Sequence, residues 1–233
     1  VITLIGTSGF SYAPWRGSFY PEKLPESRML SYYAERLGTV EINNTFYRMP
    51  GPEALRKWGG ETPAGFRFAL KSPRRITHEK KLADAGETVS RLYEAARALG
   101  DKLGPVLFQL PPPMRKDLPR LSDFLAQLPP EAQAALEFRH ASWFADDVYE
   151  ALRARGAALC IAESEELATP LQATAPWGYL RLRRQDYGEA ELAAWADRLR
   201  AQPWQTAYVF FKHEDAGRGP VLAARLGELL EKA

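Results

Sequence analysis

The chain has 233 residues, 45% hydrophobic and 26% charged, long enough to bury a sizeable core in one large domain. Its 31 Lys+Arg against 29 Asp+Glu give a formal charge of +2, which excludes a general attraction to nucleic acid or membrane and leaves any anion affinity local. The one cysteine, Cys160, excludes an internal disulfide and, in the apolar run 157–162, reads as a small hydrophobe.

In chain order, eight segments have strand character. They are Ile2–Thr7, Thr39–Asn43, Phe66–Lys71, Pro105–Gln109, Ala134–Arg139, Ala158–Ala162, Trp177–Arg183 and Ala207–Lys212. Helical spacing fills most of the gaps. Leu30, Tyr33 and Leu37 repeat ahead of a stop at Gly38, and Val89, Leu92, Ala96 and Leu99 repeat ahead of Gly100. Leu121, Phe124, Leu125 and Leu128 follow a capping Asp117. Val148 with Leu152, then Leu192, Trp195 and Leu199, then Leu222, Leu226, Leu229 and Leu230 complete the set. Strand–helix alternation of this kind predicts a single α/β domain over 1–233, a (β/α)8 TIM-type barrel, with one helix missing or irregular around residues 164–176. The alternative is a doubly wound open sheet, but Gly6-Thr7-Ser8-Gly9 lacks the glycine pattern of a dinucleotide site. Long loops after strands one and three place the elaboration on the C-terminal face, where such barrels carry their sites.

Period two sorts each strand into an apolar face for the helix ring and a polar face for the barrel interior. The stretch Thr39–Arg48 shows this best: Val40 and Ile42 alternate with Glu41 and Asn43, and Thr45, Tyr47 and Arg48 follow in the loop. Collected over the strands, the interior phase holds Glu41 and Glu137 with Arg67, Lys71, Arg139, Arg181, Arg183 and Lys212. Buried charges need partners, and cations outnumber carboxylates here, so an anion is expected to complete the site. The competing explanation is a salt-bridge network with structural value only.

Glu41 and Glu137 are therefore the candidate general bases, with His140 or His213 shuttling protons. Lys71, Gln109, Arg139, Arg183 and Lys212 are candidate anion contacts, and Asn43, Tyr47 and His78 further contacts. Among the loop aromatics, Tyr12, Trp15, Tyr47 and Trp143 would wall a pocket, stack on bases or simply plug the barrel top. The histidines lack metal-ligand spacing, so no metal and no cofactor is expected. Ser8 lacks the Gly-x-Ser-x-Gly setting of a serine hydrolase. The expected partner is a small anionic ligand such as phosphate or a phosphorylated metabolite, used by an enzyme, a hydrolase or lyase. The alternatives are a nucleic-acid processing or binding protein that clamps phosphodiesters, and a binding barrel without catalysis. No basic-then-apolar leader opens the chain and no apolar run reaches membrane-spanning length, so the cytoplasm is the expected compartment. Oligomeric state is not specified by any of these features.

Several longer runs carry a resemblance. Gly6-Thr7-Ser8-Gly9-Phe10-Ser11-Tyr12, Phe19-Tyr20-Pro21, Glu41 to Arg48, Gln109-Leu110-Pro111-Pro112 and Glu137-Phe138-Arg139-His140 are similar to the YecE-like family, domain of unknown function 72. The resemblance covers nearly the whole chain and implies a TIM-type barrel without an established activity. The chain departs from the family pattern at Arg181-Leu182-Arg183-Arg184, where a His-Gly pair is more usual, and at Phe211-Lys212-His213-Glu214, where Phe-Asn-Asn is common. Both departures make the expected site more cationic.

Overall fold

The computed structural model describes residues 1–164, 167–212 and 215–231. Eight strands close in sequence order into an all-parallel barrel: β1 (Ile2–Ser8), β2 (Thr39–Ile42), β3 (Arg67–Lys71), β4 (Leu103–Gln109), β5 (Ala134–Glu137), β6 (Ala158–Glu163), β7 (Trp177–Leu182) and β8 (Thr206–Phe211). The last strand returns to the first, Ile2 pairing with Thr206 through Thr7 with Phe211. The outer ring is α1 (Met29–Ala34), α2 (Pro52–Gly60), α3 (Gly86–Ala96), α4 (Leu118–Ala126), α5 (Asp146–Arg155), α6 (Glu189–Arg200) and α7 (Arg218–Glu231). This is the (β/α)8 TIM-type barrel that the alternation predicts, and it excludes the open sheet.

Local chemistry explains most boundaries. The Asp117 carboxylate accepts the Arg120 amide at 3.1 Å and caps α4, as expected. Gly156 ends α5 at φ 66°, a left-handed value that glycine adopts without steric cost. The first helix stops at Ala34 with Glu35 as its cap, short of the predicted Gly38. The sequence pattern missed α2, because Pro50-Gly51-Pro52 reads as a break. Proline is tolerated in a helix's first turn, where an N–H would have no intrahelical acceptor, and Pro52 starts the helix there.

Between β6 and β7 the described residues form no helix, in agreement with the irregular stretch predicted at 164–176. One side chain replaces part of the missing scaffold. The Thr174 hydroxyl accepts the Leu159 amide at 2.7 Å and donates to Ala157 O at 2.8 Å. These bonds satisfy β6 backbone groups ahead of Cys160, where its pairing with β7 begins.

Two cores follow from the alternation along the strands. Phe68, Leu70, Phe108, Leu136, Leu180 and Val209 pack outward against the helices and are fully buried. Inside the barrel the residues are small on β3, β5 and β6, where Ala69, Ala135, Ala158, Cys160 and Ala162 face inward. That leaves room for long side chains from β7, namely Tyr179 and, one layer higher, Arg181. Substituting several apolar interior positions with charge is what places a polar site at the upper end.

The junction of β1 and β2 has a separate device. Tyr33 of α1 sends its hydroxyl between the two strands, accepting the Thr7 amide at 2.8 Å and donating to Thr39 O at 2.9 Å. Gly6 lies beside it; a Cβ there would come within 1.8 Å of Thr39 O, so no side chain fits.

Candidate functional site in the barrel mouth

Arg181 sits at the centre of the barrel, with Glu41 and Glu137 on either side and all three buried. Its Nη2 donates to Glu41 Oε1 at 2.8 Å and its Nη1 to Glu137 Oε2 at 2.6 Å. Gln109 Oε1 accepts a longer bond from Nη1 at 3.4 Å. Ser8 Oγ and Tyr179 Oη complete the shell of Glu41 at 2.7 and 2.6 Å. A carboxylate with three donors is well solvated by protein, which is what allows it to stay charged away from water.

Above this layer, Arg139 and Arg183 converge on the same Glu137 oxygen. Arg139 donates through Nε to Oε1, and Arg183 Nη1 lies 3.6 Å from that atom. Their side chains are 21% and 19% exposed, whereas Glu137 is 0% exposed, so the guanidinium groups form the rim and the carboxylate the floor. Burial alone pushes the Glu137 carboxyl up, but Arg181, Arg139 and Arg183 outweigh it and hold the pKa down at about 2. Arg183 Nε is buried without a hydrogen-bond partner, and burial followed by repulsion from Arg181 lowers the pKa of this guanidinium.

Lys71 ends β3 on the inward face. Burial, then the Arg181 charge, lowers its pKa to about 8, although Glu41 and Glu137 pull the other way. Its ammonium lies 4.4 Å from the Phe46 ring centre. His78, carried on the helical turn Arg75–Glu79, packs its ring edgewise on Phe46 and shares a 2.9 Å hydrogen bond with Thr77 Oγ1. Burial and then Lys71 lower the His78 pKa, so its ring is neutral near pH 7.

Other predicted residues lie elsewhere or do different work. Glu137, expected as a general base, is held at about 2 by three guanidinium groups, which makes it a weak proton acceptor near neutrality. Glu41, its oxygens buried and taken by Ser8, Tyr179 and Arg181, has no face open to a substrate. His140 is turned to its own loop, where its Nδ1 accepts the Ser142 amide at 3.1 Å and caps the turn Ala141–Trp143. His213 lies outside the described residues. Lys212 is exposed just past β8. Trp15 and Trp143 are completely buried and act as packing: Trp143 stacks on Phe138 at 4.6 Å and donates its indole N–H to Met114 O at 2.7 Å. Tyr47 is 79% exposed, outside the ion network. Arg67 is at the opposite, N-terminal end of the barrel, donating to Ala64 O and Phe66 O.

A cleft of about 340 Å³ opens next to the mouth, lined by Gly9, Phe10, Tyr12, Asn43, Asn44 and Trp58 among others. Tyr12 and Asn43 were expected at the site; Trp58 and Asn44 were not. Sequence reasoning also left out Ser8 and Tyr179 as carboxylate partners. Each shares the inward phase of its strand with a recognised residue or position, Ser8 with Gly6 and Tyr179 with Arg181, and that phase was the available signal. Among the described residues, no three His, Cys, Asp or Glu side chains gather as metal ligands. No helix among them is long and apolar enough to cross a membrane.

A family model described as a protein of unknown function, DUF72, matches residues 4–233. The chain belongs to the DUF72 family. Among curated relatives it is similar to the UPF0759 protein YecE of Escherichia coli, 34% identical over 128 residues, covering 54% of this chain and 47% of YecE. It is also similar to the UPF0759 protein YunF of Bacillus subtilis, 28% identical over 141 residues, 57% of this chain and 50% of YunF. The matched part thus spans about half the length of these curated relatives. The crystal structure of a DUF72 family protein from Thermotoga maritima superposes with a TM-score of 0.87 at 26% identity, covering 99% of this chain and 100% of that one. A DUF72 family protein from Enterococcus faecalis shares the fold at a TM-score of 0.81 and 19% identity, covering 99% of this chain and 96% of that one.

Proposed function

We propose that the C-terminal mouth of the barrel binds a small substrate bearing a phosphate or carboxylate, and that the protein is an enzyme acting on it. The observation that carries this reading is the sharing of one carboxylate oxygen, Glu137 Oε1, by two partly exposed guanidinium groups. A guanidinium offers five N–H donors in a planar fork, and one shared oxygen leaves most of those on Arg139 and Arg183 to be filled from outside. Charge points the same way. Among the described residues, Arg181, Arg139, Arg183 and protonated Lys71 face the two carboxylates Glu41 and Glu137, and an incoming anion offsets the excess.

In this reading Arg139 and Arg183 hold the anion and Arg181 with its two carboxylates forms a fixed platform beneath. Lys71, with a pKa of about 8, replaces the carboxylates as the group able to exchange a proton near neutral pH. The adjoining cleft, with Trp58 and the Asn43 and Asn44 amides, takes the neutral remainder of the substrate.

Thermal melts in increasing phosphate, sulfate and small carboxylates test the proposal. Saturable stabilisation of the wild type is expected, because a ligand of the folded state raises its stability by mass action. Absence of any anion effect at saturating concentration would reduce the cluster to an internal salt-bridge network. Steeply salt-sensitive oligonucleotide binding without a small-anion effect would favour a phosphodiester clamp instead.

A further inference from the structure

We propose that Lys71 is a carbonyl-trapping amine: it forms an imine with a substrate whose carbonyl group lies close to the anionic group held by Arg139 and Arg183. This rests on the anion site proposed above and names the substrate class, a 2-oxo acid or a phosphorylated aldehyde or ketone.

The contacts of Lys71 set it apart from a structural lysine. Lys102 is also partly buried, and its Nζ is directed at three acceptors, Gly59 O, Thr62 O and Thr62 Oγ1. Lys71 Nζ makes no hydrogen bond or ion pair with any described residue, and lies over the face of Phe46. The backbone from which the side chain springs is fixed, since Thr45 Oγ1 donates to Lys71 O at 2.6 Å and β3 is paired on both sides. An ammonium without an acceptor among the described residues, partly buried and facing other cations, is stabilised by giving up its proton. The charged groups acting on it are Arg181 and Arg139, which favour the free amine, and Glu41 and Glu137, which oppose it, with neutral His78 alongside. At pH 7, a pKa of about 8 in place of 10.5 leaves roughly 300-fold more free amine.

The chemistry balances without a further reagent. The Nζ lone pair adds to the carbonyl carbon, and the carbonyl oxygen takes up a proton to give a carbinolamine. Nitrogen then expels that oxygen as water. From the ammonium form, the sum is ammonium plus carbonyl giving iminium plus water, with charge conserved and no electron transferred. The anion held by the arginines places the carbonyl and the amine in one enclosure, which replaces a bimolecular encounter by a positioned one.

The test is reductive trapping with cyanoborohydride at pH 7, using pyruvate in one arm and dihydroxyacetone phosphate in the other, followed by peptide mass spectrometry. Lactate and glycerol 3-phosphate, which carry the charge without the carbonyl, serve as non-trapping controls in thermal melts. One adduct per chain on Lys71 is expected, with labelling of that residue at least about tenfold above the surface lysines. The arm that labels decides between carboxylate and phosphate. Lys71→Arg should lose the adduct while lactate or glycerol 3-phosphate still stabilises it, and a Lys71→Met variant covers the case in which arginine does not fit. Stabilisation by the controls without a Lys71 adduct would overturn the imine alone. No stabilisation and only scattered surface labelling would remove the anion site along with it.

Discussion

Arg181 Nη1 and Glu137 Oε2 lie 2.6 Å apart in the middle of the barrel, with both side chains closed off from solvent. Removing one partner of a buried pair leaves the other charged and unsolvated. Glu137→Ala takes a carboxylate partner from three guanidinium groups at once, leaving Arg181 with Glu41 alone, so it is expected to destabilise folding by roughly 3–5 kcal/mol, read as a lowered midpoint in urea. A variant as stable as the wild type would mean that water or a bound anion had taken over the carboxylate's place.

The same residue sets a sensitivity to acid. The Glu137 pKa falls from an ordinary 4.5 to about 2 on folding, so the unfolded chain binds the proton more readily. Its contribution is fully present above the unfolded value and is lost as pH drops from 4.5 towards 2. The loss is on the order of 3 kcal/mol, and Glu137→Gln should flatten that part of the stability–pH curve. Acid titrations of the two proteins followed by circular dichroism will show the difference; superimposable slopes would count against the ion network as the cause.

Arg139→Lys keeps the positive charge and loses the planar fork. The fold is expected to persist while phosphate or sulfate binding weakens about tenfold, a change measurable by titration calorimetry. Equal affinity in both proteins would mean that charge alone, without geometry, attracts the anion.

Lys71 shifts stability with pH in the same direction as Glu137, but in an alkaline window. Because its pKa falls from 10.5 to about 8 on folding, the unfolded chain holds more protons between those values, and stability should rise with pH across that window. Lys71→Met removes the cost of the enclosed charge, so at pH 7 the variant should be more stable by roughly 1–3 kcal/mol in the absence of anions. It should also lack the rise between 8 and 10.5. A less stable variant would show that Phe46 and the neighbouring carboxylates stabilise the ammonium more than burial destabilises it.

The sequence displays the barrel because each strand alternates cleanly. Apolar positions such as Leu136 and Phe138 must face the helices, which turns Glu137 and Arg139 inward without further information. The convergence of Glu41, Gln109 and Glu137 was legible for the same reason. What alternation leaves open is depth and angle around the barrel. Arg181 reads as one more inward cation, and only the small residues Ala69, Ala135 and Ala162 opposite it show that it spans to both carboxylates. Loop residues were less legible: Tyr12 and Asn43 line the cleft as expected, but nothing in the spacing of Trp15, Tyr47 and Trp143 distinguishes a buried plug from an exposed ring. The helix Pro52–Gly60 was hidden by Pro50 and by its own first residue, Pro52.

The Tyr33 hydroxyl wedged between β1 and β2 makes that seam dependent on a side chain from outside the sheet. A parallel seam laced by backbone alone can hold while a neighbouring helix frays. Here the phenol leaves with its helix, and the Thr7 amide and Thr39 carbonyl lose their partner in the same event. Undocking α1 and parting the barrel at this stave are therefore one cooperative opening, which hydrogen exchange would register as matched protection of the Thr7 amide and the α1 amides. Tyr33→Phe separates the two motions by deleting the peg while keeping the ring in its pocket.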